Sequence, residues 1–481
     1  MTAVLDAPTP VRRRRRVWAH PAAAPIAASA ATIAVSLYGI GRQFHQDEVI
    51  TWYAATLPVR DLGAVFRHVD VVFAPYYLAL HVWSRVFGAS QFSLRVPSLV
   101  AMAVAAALVV VLGRRLVNTR VGLIGGLLFA TLPAVSRYAQ EARPYALAVA
   151  AALISTLALV WAAERQTWLR WAIYAPTVAL LAAAHLLALM LLAAHLAYMA
   201  SRRSDALRWA AAVAAGMLPV LPLLLLGSGQ SAQVAWLGTP SWTRLPQIPG
   251  EALGAAAVGG LLIGAILAVR PPANRTTALL VTWGIVPPVV LFLVSLSSPT
   301  LHPRYLLFTV PAWCLLAAQA CLSRWTGPAM IAAAILLGIS GHTAFRGDTL
   351  PGNPDLRSAY AVVASAQQPG DGILHRGPQQ NVSRLAAGLY LPERRPRDVL
   401  AIASARQQGS YYALDHDDAN AAQVLQGAGR LWLFSSIKGS PKQWHALLGG
   451  GNLGELLRTR YTLQRSESYE GVIVLLLVPK H

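Results

Sequence analysis

The sequence predicts a mainly α-helical, polytopic membrane protein with about eleven transmembrane helices and a small α/β domain outside the lipid. Three observations lead there. Of 481 residues, 56% are hydrophobic and 12% are charged, where soluble domains run near a quarter charged. Apolar runs of about the 17–25 residues that a span requires recur through the first 343 positions. The short loops on one side of these runs carry arginine and almost nothing else.

The runs fall at 21–41, 96–113, 121–136, 145–163, 169–184, 186–200, 206–226, 251–269, 276–297, 304–322 and 327–343. The stretch 169–200 is divided at His185 because it is too long for a single crossing. Arg12 to Arg16 precede the first run, with no small-residue cleavage site after it. Residues 1–20 therefore read as a basic cytoplasmic N-terminus followed by an uncleaved first span. Counting from there, the inward loops contain Arg114, Arg115 and Arg120; Arg165 and Arg170; Arg202, Arg203 and Arg208; Arg270 and Arg275; and Arg324. Every one is short and basic, as the positive-inside rule demands.

Residues 42–95 form the first external loop on this reading. Ala74 to Phe87, "APYYLALHVWSRVF", is too short to span, and counting it would reverse every later loop. Tyr77, His81, Ser84 and Arg85 share one side of a helix there, and Leu78, Val82, Trp83 and Val86 the other, which predicts an amphipathic surface helix. Residues 344–481 hold no spanning run. "DLRSAYAVVASAQQ" reads as a helix, and "DGILHR", "RLWLFSS" and "EGVIVLLLV" read as strands of an extracytoplasmic α/β domain.

Composition also excludes function classes. The net charge of +20 comes from arginines scattered between apolar runs, so no basic face for nucleic acid forms. Cys314 and Cys321 share one apolar run and lack metal-site spacing, so they read as packing residues and no metal site is assigned. The glycine pairs 125–126 and 259–260 read as helix-packing positions. No phosphate loop, dinucleotide fingerprint, HExxH or nucleophile elbow is present.

The groups able to do acid–base work gather on the outer side: "FHQDEVITWY" (Phe44 to Tyr53), "RYAQEARPY" (Arg137 to Tyr145), His185, and "HPRY" (His302 to Tyr305). Ionisable residues at membrane boundaries are costly and often functional. Asp47 and Glu48 follow the first span directly. One of them is a candidate general base, although neighbours on a helix diverge by about 100° and cannot share one role. The bland alternative is interfacial solvation. Arg304 beside a helix start suits a phosphate, against the alternative that it snorkels to lipid head groups. Trp236 and Trp242 read first as membrane anchors and second as sugar-stacking rings.

In order and spacing, the acidic pair after the first span, "APYYLALHVWSRVFGASQFSLRVPS", "RYAQEARPYAL" and "HPRYLLFTVP" resemble the GT-C superfamily of integral membrane glycosyltransferases. The likeness is to its bacterial branch, similar to protein O-mannosyltransferases and the lipid A aminoarabinose transferase, and it covers about residues 20–343. It implies a GT-C catalytic domain over 21–343 and an inverting enzyme of the cytoplasmic membrane. Such an enzyme moves a sugar, mannose or arabinose favoured, from a polyprenyl-phosphate donor to a hydroxyl of a glycolipid, polysaccharide or protein on the outer face. It implies Asp47 as base, with Glu48 orienting the acceptor or Asp47 itself, and Arg304, His302, Tyr305 and Arg143 around the donor phosphate. Glu141, Tyr76, Tyr77 and His45 are the candidate substrate-binding residues. The family's histidine-proline before the double tyrosine is "FAPYY" here, which leaves that histidine's role to His45, to His68, or unfilled. The polyprenyl-phosphate sugar is the co-substrate and no cofactor is required. A divalent cation at "HQDE" stays open, with no complete ligand set legible. The competing reading is a transporter or flippase of polyprenyl-linked sugars that does no chemistry. Such proteins bind at the midplane, commonly between inverted repeats, and no repeat is evident.

Overall fold

The computed structural model describes residues 21–165, 167–230, 237–269, 272–425, 427–437 and 439–480. The basic N-terminal segment 1–20, Arg270 and Trp236 lie outside the described residues. Helices occupy each of the expected apolar runs, beginning with Ala23–Leu37 and ending with Thr326–Ala344. Five are long and apolar enough to cross a membrane alone: Gln91–Leu116, Tyr145–Ala162, Arg203–Ser228, Arg275–Ser295 and Thr326–Ala344. Two bent pairs bring the number to seven, and Ala23–Leu37, Trp168–Ala184 and Leu186–Met199 are shorter apolar helices. On length and apolarity the helices therefore stop short of eleven among the described residues.

The shortfall has local causes. Pro133 cannot supply the N–H that would continue Thr119–Thr131, so the run breaks and Pro133–Ala139 leaves at 64°. Trp242–Leu253 and Ala256–Val269 meet at 98° around Gly254. There φ is +86°, and a Cβ would stand 2.5 Å from the Ala134 backbone nitrogen, so only glycine fits. At His185 the backbone is extended, which separates the two halves of the long run. Of the glycine pairs, Gly126 lets two helices close up, since a Cβ there would meet Val110 at 2.3 Å, whereas Gly260 faces open space.

The first loop folds into three helices, Gln46–Thr56, Val59–His68 and Ala74–Phe87. The third is amphipathic with its polar side inward. His81 and Ser84 both bond the Ala55 carbonyl, at 3.2 and 3.0 Å, while Leu78, Val82, Val86 and Phe87 are exposed as a lipid-facing surface would be.

Beyond Ala344 the chain builds a five-stranded mixed sheet in the order Arg397–Asp398, Gly372–Arg376, Leu431–Ser435, Val472–Pro479, Tyr461–Tyr469. The first three strands run parallel and the last two pair antiparallel. "EGVIVLLLV" is thus a buried central strand. The helix Gln380–Tyr390 and the strand Tyr461–Tyr469 carry no apolar run and were not expected from the sequence. One face of the sheet shares a hydrophobic core with the first loop, in which Val49, Ala54, Leu62 and Tyr77 pack with Leu356, Tyr360, Trp432 and Val474. Polar contacts tie the same junction: Gln43 Nε2 donates to Thr349 and Asp355 at 2.7 and 3.1 Å, and Arg406 pairs with Asp61 at 2.6 Å.

Candidate active site

The helix Gln46–Thr56 starts with a capping box. His45 is the N-cap and Glu48 the third residue, and the His45 Nδ1–Glu48 Oε2 distance is 2.8 Å. Glu48 is fully buried and both its oxygens are occupied. Oε1 accepts from Arg95 Nε and from the Ala142 backbone N–H, each at 2.8 Å, and Oε2 accepts from Arg95 Nη2 at 2.6 Å. Arg95, itself fully buried, also donates to the carbonyls of Ile40, Arg42 and Gln43. Burial pushes the Glu48 carboxyl up, but Arg95 and His45 outweigh it and hold it well below its ordinary range. The pair staples the exit of the first span to the start of Gln91–Leu116 and to the segment at Ala142.

Asp47, one residue earlier, points elsewhere, as the helical turn requires. Its side chain keeps 28% exposure and ion-pairs with Arg304. Burial again acts upward, and Arg304, Arg143 and His45 together hold Asp47 ionised, below the usual carboxylate range. Arg304 opens the turn Pro303–Thr309, whose N-cap is His302, with Nδ1 accepting from the Arg304 backbone N–H at 3.3 Å. Burial, then Arg304, lowers His302 to about 3, so the imidazole is neutral. The Arg304 guanidinium lies over Tyr145 and Tyr305, at 5.5 and 5.4 Å from the ring centres.

Arg143 completes the cluster. It donates from Nη1 to the Tyr77 hydroxyl at 3.1 Å and lies 4.7 Å from the Phe73 ring centre. The Nε atoms of Arg143 and Arg304 are both buried without a protein partner among the described residues. The Nε atoms of Arg42, Arg208, Arg244 and Arg430 are likewise buried without a partner among the described residues, so what distinguishes Arg143 and Arg304 is the Asp47 carboxylate they both act on.

The remaining candidates divide. Tyr305 joins the cluster through tilted ring contacts with Tyr145 and His185, at 6.0 and 5.3 Å between centres. Tyr77 joins it through Arg143. Glu141 is buried and spent on Arg137 at 3.1 Å, Tyr76 packs in the core beneath the first loop, and His45 is occupied by Glu48. His68 bonds the Gly409 carbonyl at 3.0 Å, so it tethers the C-terminal domain. Among the described residues no cluster of three or more His, Cys, Asp or Glu is placed to hold a metal ion.

Sequence reasoning passed over Arg95, and over Asp70, whose Oδ2 accepts from the Tyr77 hydroxyl at 3.0 Å. Arg95 had a readable signal, as a lone cation just ahead of an apolar run and two residues before Pro97. Asp70, the one acid in "HVDVVFAPYY", had a weaker one.

The helical body, the folded first loop and the C-terminal α/β domain together have a GT-C, ArnT-like fold. A family model described as dolichyl-phosphate-mannose-protein mannosyltransferase matches residues 72–226. ArnT of Cupriavidus metallidurans in the apo state superposes with a TM-score of 0.62 at 13% identity, covering 94% of this chain and 97% of that one. The same protein bound to undecaprenyl phosphate gives 0.62 and 13%, over 95% and 98%. The Archaeoglobus fulgidus oligosaccharyltransferase with zinc and sulfate gives 0.55 at 12% identity, over 94% of this chain and 73% of that one. At these identities the likeness establishes the fold. No curated protein matches the chain by sequence.

Proposed function

We propose that this protein is an inverting glycosyltransferase that moves a sugar, mannose or arabinose, from a polyprenyl-phosphate carrier to an acceptor hydroxyl on the outer face of the cytoplasmic membrane. The observation that carries the reading is the meeting of Asp47, Arg304 and Arg143. The acceptor oxygen attacks the anomeric carbon from the side opposite the phosphate, and Asp47 takes its proton. The bond from that carbon to the phosphate oxygen breaks, the configuration inverts, and the polyprenyl phosphate leaves with the charge that Arg304 and Arg143 neutralise.

Arg304 has one guanidinium for two anions, so an arriving phosphodiester competes with Asp47 for it. The carboxylate is released as a base when the donor is seated. Glu48 keeps Asp47 in place by anchoring the helix that bears it, and His302 and Tyr305 line the phosphate end. No metal enters the scheme. The external side is supported by the arginine-rich loops at the opposite ends of the spans. The undecaprenyl phosphate complex of ArnT supports the class of carrier.

The test is to offer the purified protein radiolabelled polyprenyl-phosphate sugars one at a time with envelope fractions. Asp47→Asn should lower turnover by about 10²–10⁴-fold, and should tighten binding of undecaprenyl phosphate because Arg304 loses its competing partner. A transporter that does no chemistry would keep its flux in Asp47→Asn and label no acceptor with any donor.

A further inference from the structure

Asp70 carries two burdens at once. Among the described residues it is the only one other than glycine with a positive φ, at 55°, with ψ at 26°. Such backbone is disfavoured for side chains, and Asp and Asn tolerate it best. Its carboxyl is also half-buried, and desolvation raises it above the ordinary carboxylate range against the pull of Arg143 and the Tyr77 hydroxyl. Left-handed backbone at a residue other than glycine persists where the surroundings fix it, and it concentrates at functional sites.

The contacts give this position a direction. Asp70 Oδ2 accepts from the Tyr77 hydroxyl at 3.0 Å, and the Tyr77 oxygen accepts from Arg143 Nη1 at 3.1 Å. The left-handed residue opens the turn Val71–Phe73, which leads into the helix bearing Tyr77 and sets Phe73 against the Arg143 guanidinium. With Nη1 held and one face covered, the Arg143 Nε is buried and has no protein partner among the described residues. Tyr411 of the C-terminal domain is buried and 6.1 Å edge-on to Tyr53, its hydroxyl making no hydrogen bond among the described residues.

We infer that Asp70 is a positioning residue that aims Arg143, through the Tyr77 hydroxyl, at the carrier phosphate. The inference rests on the proposed function for what the phosphate is. It adds a pair of residues, Asp70 and Tyr77, that touches neither reacting atom.

The experiment uses the full chain in nanodiscs and undecaprenyl phosphate itself as the binding probe, with turnover of whichever donor the wild type accepts. Asp70→Asn suits the left-handed backbone and keeps an oxygen for Tyr77, so it removes the charge alone. Tyr77→Phe removes only the hydroxyl. Each should weaken undecaprenyl phosphate binding and raise the donor KM about tenfold, the worth of one hydrogen bond to a charged group. The double variant should be no worse than either single one. Unchanged binding and KM in folded Asp70→Asn or Tyr77→Phe, or a lower melting point without those shifts, overturns the inference. If Asp70→Asn does not fold, Tyr77→Phe decides by the same criteria. Turnover retained in Asp47→Asn would overturn the catalytic reading instead, and the binding measurement would still judge the relay.

Discussion

Replacing Glu48 with Gln isolates what the buried anchor contributes. The carboxylate accepts from Arg95 Nε, Arg95 Nη2, the Ala142 N–H and the His45 side of the capping box. A glutamine oxygen placed at Oε1 keeps the bonds to Arg95 Nε and Ala142, but its NH₂ then faces Arg95 Nη2 and His45, donor against donor. Two charge-assisted bonds at about 1.5–3 kcal/mol each are lost, and a buried Arg is left without its counter-ion, a change that costs about 3–5 kcal/mol. Taking the lower, directly measured range, Glu48→Gln should destabilise the protein by about 3–5 kcal/mol, a large share of a stability of about 5–15 kcal/mol. Adding Arg95→Met should recover only part, because Ile40, Arg42 and Gln43 would lose the donor on their carbonyls. Denaturant unfolding in matched micelles measures the loss, and initial rates corrected for the folded fraction measure the chemistry. A Glu48→Gln protein with the wild-type unfolding midpoint and no turnover would refute the anchor reasoning and put Glu48 among the reacting groups.

Arg304→Met should raise the donor KM and lower kcat together, by about 10²-fold or more in kcat/KM, since the removed charge serves both the bound phosphate and the leaving one; steady-state kinetics check this. Gly254→Ala should destabilise by about 2–4 kcal/mol, from about 1–2 for a side chain at positive φ and the rest from overpacking against Ala134, read as a lower melting point. Stability should also fall on acidification in two stages. His302 and His375 are depressed by burial to about 3 and about 4, so the unfolded chain takes up their protons first and stability declines as pH drops below about 6.5. Glu48 and Asp47 lie below their ordinary values, so their contribution is complete above about 4.5 and is lost as pH falls further. Melting temperatures across pH 3–8 check both, and His302→Asn should flatten the upper stage.

The membrane body was legible because its signal is compositional. Long apolar runs and one-sided arginines survive any detail of packing, and the surface helix Ala74–Phe87 followed from its two faces. The places where runs break were less legible. The turns at Pro133 and Gly254 depend on neighbours brought from elsewhere, such as Ala134 against Gly254. At the site, Asp47 and Arg304 could each be named from their own flanks, but they are 257 residues apart and their contact had no local trace. Glu48 and Asp47 looked alike as letters. Only the position of Arg95 distinguishes the one that is buried and fully bonded from the one that stays part-exposed against Arg304. Asp70 escaped notice because its oddity is a backbone angle, which an isolated acid in a loop does not announce.

The core common to the first loop and the sheet has a bearing on ancestry and engineering. A boundary drawn at the end of the last long helix cuts through a set of residues that fit one another, Ala54 and Leu62 on one side and Tyr360 and Trp432 on the other. Chimaeras that exchange only the tail between relatives will place mismatched shapes face to face. Those that carry residues 42–95 along with it keep this seam matched, and drift on either side of it must be answered on the other.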